Sequence, residues 1–248
     1  MKWLNLLLIP GSSLGGARPK ASVLDEHGQF WIAKFPSVLD DRDIGGWEKV
    51  ACDLAKNATI RVPESVTGKF YSKKHTFLTK RFDRTPQGKR IHFASAMTLL
   101  GHTDGTNYSS GVSYLDLAEF IMRNGASPDA DLEELWKRIV FSILISNTDD
   151  HLRNHGFLLT DKGWTLSPAY DINPVPTGTG LSLNISTTDN ALSIHLALEV
   201  ASYFRVSDAR AAKIITVIQS AVSKWESIAE KVGIPKSERN AMAKAFKR

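Results

Sequence analysis

The chain reads as an α+β protein in which short strands come first and helices follow, and three observations carry that reading. In the first third, short apolar and β-branched runs alternate with turn-forming clusters, the pattern of antiparallel hairpins. From Ser113 onward the apolar residues recur at helical spacing. Between the longest helical stripe and the next strand lies a polar stretch, Ser146-Asn147-Thr148-Asp149-Asp150-His151-Leu152-Arg153-Asn154-His155-Gly156. The expected division is a β-rich unit over residues 1–83 and a mainly helical unit over 84–248.

Composition sets the outer bounds. With 248 residues the chain can bury a sizeable core, and 42% hydrophobic with 23% charged residues is ordinary for a globular protein. The single cysteine, Cys52, excludes an internal disulfide framework and a multi-cysteine zinc site, and fits a reducing compartment such as the cytoplasm. A net charge of +5 suits an anionic ligand such as ATP, or a partner carried on nucleic acid. No stretch approaches the roughly 20 apolar residues of a membrane span.

The opening Met1-Lys2-Trp3-Leu4-Asn5-Leu6-Leu7-Leu8-Ile9-Pro10 has a short apolar run interrupted by Asn5 and no small-residue cleavage site, so it reads as a buried strand or the remnant of a longer part, not a signal peptide. Gly11-Ser12-Ser13-Leu14-Gly15-Gly16-Ala17-Arg18-Pro19-Lys20 is a glycine-rich loop in which backbone N–H groups can approach phosphates while Arg18 and Lys20 add charge; it lacks the Gly-Lys-Ser/Thr of a Walker loop. Residues 21–24 and 29–35 form a predicted hairpin about Asp25-Glu26-His27-Gly28, with Phe30, Ile32 and Lys34 on one face of the second strand. A lysine there needs a partner or an edge position. Residues 45–58 carry Trp47, Val50, Ala51 and Leu54 at helical spacing, and Glu48 on the first turn is within reach of pairing with Lys34. Two strands are expected at Phe70-Tyr71 and over 76–82, and residues 83–89 form a polar turn, a hinge between lobes.

In the second unit, Ser113 and Asp116 form a capping box for a helix that stops near Gly125, and Pro128 opens the next. Leu132, Leu135, Trp136, Ile139, Val140, Ile143 and Leu144 make that next helix a core helix, and it delivers the polar stretch. Strands 156–160 and 164–166 return the chain to Ser167-Pro168-Ala169-Tyr170-Asp171. Residues 173–184, rich in Pro, Gly and Thr, predict a flexible loop, and helices follow over 192–205, 208–232 and 237–246.

Asp and Asn gather in many turns for backbone reasons alone. Here, however, carboxylates, imidazoles and an amide crowd into one loop directly after a buried helix. An Asp, an Asn five residues on, and an Asp on the following loop are what metal-dependent phosphoryl transfer uses: a base for the attacking hydroxyl and hard oxygens for Mg2+. Protein kinases place these roles in that order.

Taken together, these residues resemble the HipA family, serine/threonine kinases that act as toxins in bacterial toxin–antitoxin systems. The resemblance runs through Ser13-Leu14-Gly15-Gly16-Ala17-Arg18-Pro19-Lys20, the Lys34 strand, Lys80-Arg81-Phe82-Asp83-Arg84, Asp149-Asp150-His151-Leu152-Arg153-Asn154 and Pro168-Ala169-Tyr170-Asp171, nearly the whole chain. It implies a two-lobed protein-kinase-like fold, with a small β-rich N-lobe and a mainly α-helical C-lobe. It implies Asp149 as catalytic base, Asn154 and Asp171 as magnesium ligands, and Lys34 on the ATP phosphates. Gly15, Gly16, Ala17, Arg18 and Lys20 would cover the nucleotide, and Lys80, Arg81 and Phe82 would form the adenine-side hinge. Asp150, His151 and Tyr170 would complete the nucleotide site. Ser13, with Ser12 beside it, is the implied autophosphorylation site, whose new charge could reorder the loop. The implied partners are an aminoacyl-tRNA synthetase as substrate and a helix-turn-helix antitoxin on operator DNA. Two features depart from the family. A further N-terminal subdomain precedes the glycine-rich loop in its members, so a short form completed by a separate polypeptide, or a truncated product, is expected. Arg18-Pro19 also stands where Gln- or Glu-type residues are common.

Two other readings stay open. One is a metal-dependent hydrolase using Asp149, Asp150, His151, His155 and Asp171, with the histidines four apart. The other is a catalytically silent member acting as an antitoxin or repression partner.

Overall fold

The computed structural model describes residues 18–70 and 72–247. The expected N-terminal strand, and Ser12, Ser13, Gly15, Gly16 and Ala17, lie outside the described residues. Strands β1 (Lys20–Leu24) and β2 (Phe30–Lys34) form the expected hairpin. Its turn is closed by the Asp25 carboxylate, which accepts from the backbone N–H of His27 and Gln29 and from Trp31 Nε1. With β3 (Ser65–Gly68) and β4 (Thr76–Lys80) the hairpin builds an antiparallel sheet of order β1-β2-β4-β3. One face holds a small cluster of Val23, Trp31, Ala33 and Leu78. Trp31 and Ala33 are therefore the core-facing residues of β2, and Lys34 stands on the opposite face.

Of the strand expected at Phe70-Tyr71, Phe70 is outside any strand and Tyr71 lies outside the described residues; the strand that pairs with β4 is Ser65–Gly68, where Val66 and Thr67 supply β-branched residues. Strand β4 ends at Lys80; Arg81 N–H still donates to Phe30 O of β2 at 2.9 Å, and Phe82 lies beyond the sheet. The polar turn beyond is closed by Thr85 N–H to Lys89 O and Gly88 N–H to Thr85 O.

Helix α1 (Ile44–Asn57) starts at Asp43, whose carboxylate accepts from Gly46 N–H at 3.1 Å. Its buried residues Trp47, Val50 and Leu54 join the large core of the helical part, not the small cluster of the sheet. Trp47 meets Trp225 and Phe246, which stack on each other with ring centroids 4.4 Å apart. Two short elements escaped the sequence reading: β5 (Phe93–Ser95) and α2 (Ala96–Leu99). Helix α3 (Tyr114–Asn124) carries the expected capping box, and α4 (Pro128–Ile145) is buried along most of its length. Strands β6 (Gly156–Thr160) and β7 (Gly163–Leu166) pair with β5 as a second sheet.

Residues 173–184 are packed, not loose. Leu181 and Leu183 are fully buried, Val175 N–H donates to Ser146 O, and Ser182 Oγ donates to Thr148 O. The helix expected over 192–205 is shorter, α5 (Ile194–Glu199), followed by a 3-10 turn, Ala201–Phe204. That expected over 208–232 divides at Ser223 into α6 (Asp208–Val222) and α7 (Trp225–Val232), and α8 (Lys236–Met242) ends the helical series. Among the described residues no helix is long and apolar enough to cross a membrane.

Candidate active site

Three elements meet at Lys34. Its ammonium lies 2.5 Å from Glu48 Oε1 of α1 and 2.9 Å from Asp171 Oδ1, beyond β7. The ion pair expected between Lys34 and Glu48 thus forms, with Asp171 as a further member. Burial works against the charge on Lys34, but the two carboxylates outweigh it and hold the pKa above the ordinary lysine value. Burial likewise opposes ionisation of Asp171, yet Lys34, assisted by Lys20 and His151, keeps its carboxyl below the usual range. Lys20 stands directly across from Lys34 in the β1–β2 register. Asp171 takes φ +57°, a left-handed backbone uncommon for a residue with a side chain, so the surrounding loop must hold it there.

The polar loop is set by the end of α4, where Ser146 turns left-handed at φ +50°. Asn147, buried directly behind, donates to Ser142 Oγ at 3.3 Å and accepts from Asn173 N–H at 3.1 Å, joining this loop to the Asp171 loop. Asn154 donates through Nδ2 to the Asp149 carbonyl at 2.9 Å, so its Oδ1 is left for a ligand. The Asp149 carboxylate is partly exposed and binds no other described residue. Partial burial and the nearby Asp171 and Asp150 charges raise its pKa against the opposing pull of His151.

Asp150 behaves in the opposite way. It is buried, accepts from Tyr114 Oη at 2.7 Å and Ser142 Oγ at 3.4 Å, and lies 3.1 Å from His155 Nε2. Burial opposes its charge, but His155 and Tyr114 hold it below the usual carboxylate range. It is a support for the loop, turned inward, where the sequence reading placed it against a nucleotide. His151 accepts at Nε2 from Arg153 at 3.1 Å, and its Nδ1 is buried without a partner. Arg153 also pairs with Asp104, and its carbonyl accepts from Tyr170 Oη at 2.6 Å.

The remaining expected residues divide. The Arg18 guanidinium is paired with Asp40. The Arg81 guanidinium chelates Asp83 at 2.6 and 2.8 Å and reaches Ser22, and the Lys80 ammonium lies 3.8 Å from Glu64. These side chains are committed within the fold, as are the backbone N–H groups of Lys80 and Arg81, which donate to Glu64 O and Phe30 O at 2.9 Å. Phe82 packs beside Tyr170 and Phe93, with ring centroids 5.7 and 5.9 Å away. Phe93 was not singled out from the sequence because it belongs to the unrecognised strand β5.

A buried ionic network also escaped that reading. Asp131 accepts from Leu166 N–H and from Arg61, Glu134 accepts from Arg138 and from Arg61 N–H, and Arg138 donates to Ser167 O at 2.6 Å. Arg61 O in turn accepts from Ala169 N–H. Charged residues at 131, 134 and 138, three and four apart on the helix that carries the apolar stripe, were the available signal.

The donor set fits a hard cation. Asp171 Oδ2 has no hydrogen-bond donor among the described residues, Asn154 Oδ1 is free, and Asn173 Oδ1 is buried without a partner while its Nδ2 faces Asp171 Oδ1 at 3.4 Å. Magnesium on a nucleotide is held by one or two carboxylates with phosphate oxygens. By contrast, no three His, Cys, Asp or Glu side chains among the described residues converge as a metal cluster, and His151 and His155 serve different partners. Among the described residues the ligands of the hydrolase reading are therefore not brought together.

Comparison with known proteins gives the family and the fold of the chain. Three curated relatives carry the name "Putative kinase". The Haemophilus influenzae protein is 29% identical over 187 residues, 67% of this chain and 54% of its own length. A Sinorhizobium fredii protein is 26% identical over 147 residues, 57% of this chain and 33% of its own. The chain thus spans about half or less of these relatives. The Shewanella oneidensis HipA structure, solved with HipB and operator DNA, superposes with a TM-score of 0.71 at 18% identity, covering 96% of this chain and 65% of that one. The Helicobacter pylori proinflammatory kinase CtkA gives 0.58 at 15% identity, covering 92% of this chain and 95% of that one. These likenesses establish a kinase-like α+β fold. Residues 12–240 match the HipA-like C-terminal domain family, and the chain belongs to that family.

Proposed function

We propose that the chain is an ATP- and magnesium-dependent serine/threonine protein kinase, the toxin component of a HipA-type toxin–antitoxin system. The observation that carries the reading is the joining of Lys34, Glu48 and Asp171 beside the unbound Asp149 carboxylate. When bound, Mg-ATP supplies the transferable phosphoryl group and a cation that offsets its charge. Asp149 accepts a hydrogen bond from the attacking hydroxyl and takes its proton. Its raised pKa makes it a stronger base than an ordinary aspartate. Lys34, kept protonated by its two carboxylates, binds phosphate oxygens, with Lys20 adding positive charge from the neighbouring strand. Asn154 and Asp171 hold the cation, Asn173 supports Asp171, and the Phe82, Phe93 and Tyr170 rings supply an apolar wall for the adenine. The glycine-rich loop through Gly15, Gly16 and Ala17 covers the phosphates and carries the autophosphorylated serine, Ser13 or Ser12.

The same reading gives an aminoacyl-tRNA synthetase as substrate and a DNA-bound helix-turn-helix antitoxin as partner. The neighbouring HipA structure, with HipB and operator DNA, supports the second of these. The test is intact-mass and peptide mass spectrometry after incubation with ATP and Mg2+, beside Asp149→Asn. One phosphate on Ser12 or Ser13, absent from the variant, is expected. A protein that binds nucleotide but gains no phosphate is the silent member instead, and one that does neither is no kinase by itself.

A further inference from the structure

Behind α1, on a face away from Lys34, the chain forms a cleft of about 680 Å³ between α1, β3 and α7. Lys49, Asp53 and Lys56 share the face of α1 that lines it, whereas Glu48 points to Lys34. Ile228 and Val232, one turn apart on α7, contribute an apolar floor. Lys56, Lys69 and Lys231 rim the cleft and make no ion pair among the described residues, while Lys49 is paired with Asp53 at 2.5 Å. The His75 ring lines the cleft and is 7% exposed; its Nδ1 lies 2.5 Å from Asp43, and its Nε2 has no hydrogen-bond partner among the described residues. The kinase reading uses none of these groups.

We propose that this cleft docks a segment of a protein partner in which acidic residues flank an apolar one. Unpaired ammonium groups above an apolar floor match carboxylates on either side of a hydrophobic side chain. His75, a lining residue with its Nε2 unpartnered among the described residues, adds a polar group for the occupant. A nucleic-acid strand fits less well: among the described residues no Phe, Tyr or Trp lines the cleft to stack on bases, and Asp53 stands in its wall. Because binding and turnover are separate quantities, the proposal stands or falls independently of the kinase assignment.

The experiment is fluorescence anisotropy with the purified chain and a labelled synthetic peptide in which pairs of Asp or Glu flank single leucines. Controls are the same peptide with Asn and Gln for the acids, and a labelled DNA duplex. The acidic peptide is expected to bind, to weaken with added salt, and to lose about tenfold or more in affinity in the triple variant Lys56→Glu, Lys69→Glu, Lys231→Glu. The amide peptide is expected not to bind. All three lysines are exposed, so the variant should keep the parent melting curve, which is recorded alongside. No binding of the acidic peptide, or equal binding by the triple variant, overturns the proposal. Preferential, lysine-dependent binding of the duplex also overturns it and makes the cleft a nucleic-acid surface.

Discussion

Asp149 and Asp150 are chemically identical neighbours with opposite circumstances. The first keeps a free, partly exposed carboxylate; the second is bound by Tyr114, His155 and Ser142 inside the core. Asp149→Asn is expected to reduce phosphoryl transfer by at least about 100-fold without shifting the melting temperature, measured by radiolabelled phosphate incorporation and thermal denaturation. Asp150→Ala is expected to do the reverse at first order, costing about 3 kcal/mol of stability because buried partners are stranded. At Lys34, substitution by Met leaves Glu48 and Asp171 facing each other without a cation. Lys34→Met should therefore destabilise the protein, and adding Glu48→Gln should restore part of that stability with no recovery of activity. The residue types and the spacing of Asp149 to Asn154 could be read from the sequence. Which carboxylate turns inward could not, because direction is fixed by Tyr114 and His155, and adjacency carries no information about either. Asn147 and Asn173 were likewise opaque: an amide in a loop reads as a turn former until its partners are known.

At the scale of elements, two contacts join α1 and α4 to their neighbours. A Cβ on Gly45 would lie 2.3 Å from the backbone carbonyl oxygen of His75, so α1 approaches β4 through a residue with no side chain. Gly45→Ala is expected to cost about 1–3 kcal/mol in chemical denaturation, and to weaken nucleotide binding because Glu48 rides on the same turn. Glu133 of α4 is chelated by Arg210 of α6 at 2.8 Å, which lowers its pKa from the ordinary 4.5 to about 2. A depressed carboxylate contributes stability that is complete above 4.5 and lost as pH falls through about 2. The melting difference between the parent and Glu133→Gln should accordingly be small at neutral pH, about 1 kcal/mol or less for an exposed pair, and vanish in strong acid. The stripe of α4 and the capping box of α3 were legible because periodicity and caps are local signals. Strand β5 was not, since three residues leave no period to detect, and the break between α6 and α7 follows from packing around Trp225.

Across the whole molecule, the order of strands then helices was visible from the sequence, but the ownership of α1 was not. By position in the chain it belongs with the sheet; by packing it belongs to the helical core, through Trp47 against Trp225 and Phe246. Glu238 of α8 fastens it further, accepting from Trp47 Nε1 at 2.7 Å and from Asp43 N–H at 2.8 Å. Hydrogen–deuterium exchange should find the α1 amides slow and equally protected with and without nucleotide, while protection gained on binding is confined to the segments around Lys34, Asp149 and Asp171. An equal slowing of α1 itself would contradict this. A helix clamped in this way keeps Glu48 on Lys34 before any nucleotide arrives. If the chain is the kinase proposed, it leaves the ribosome armed, and its restraint must come from abundance, from a bound protein or from a chemical change elsewhere, not from a helix that swings.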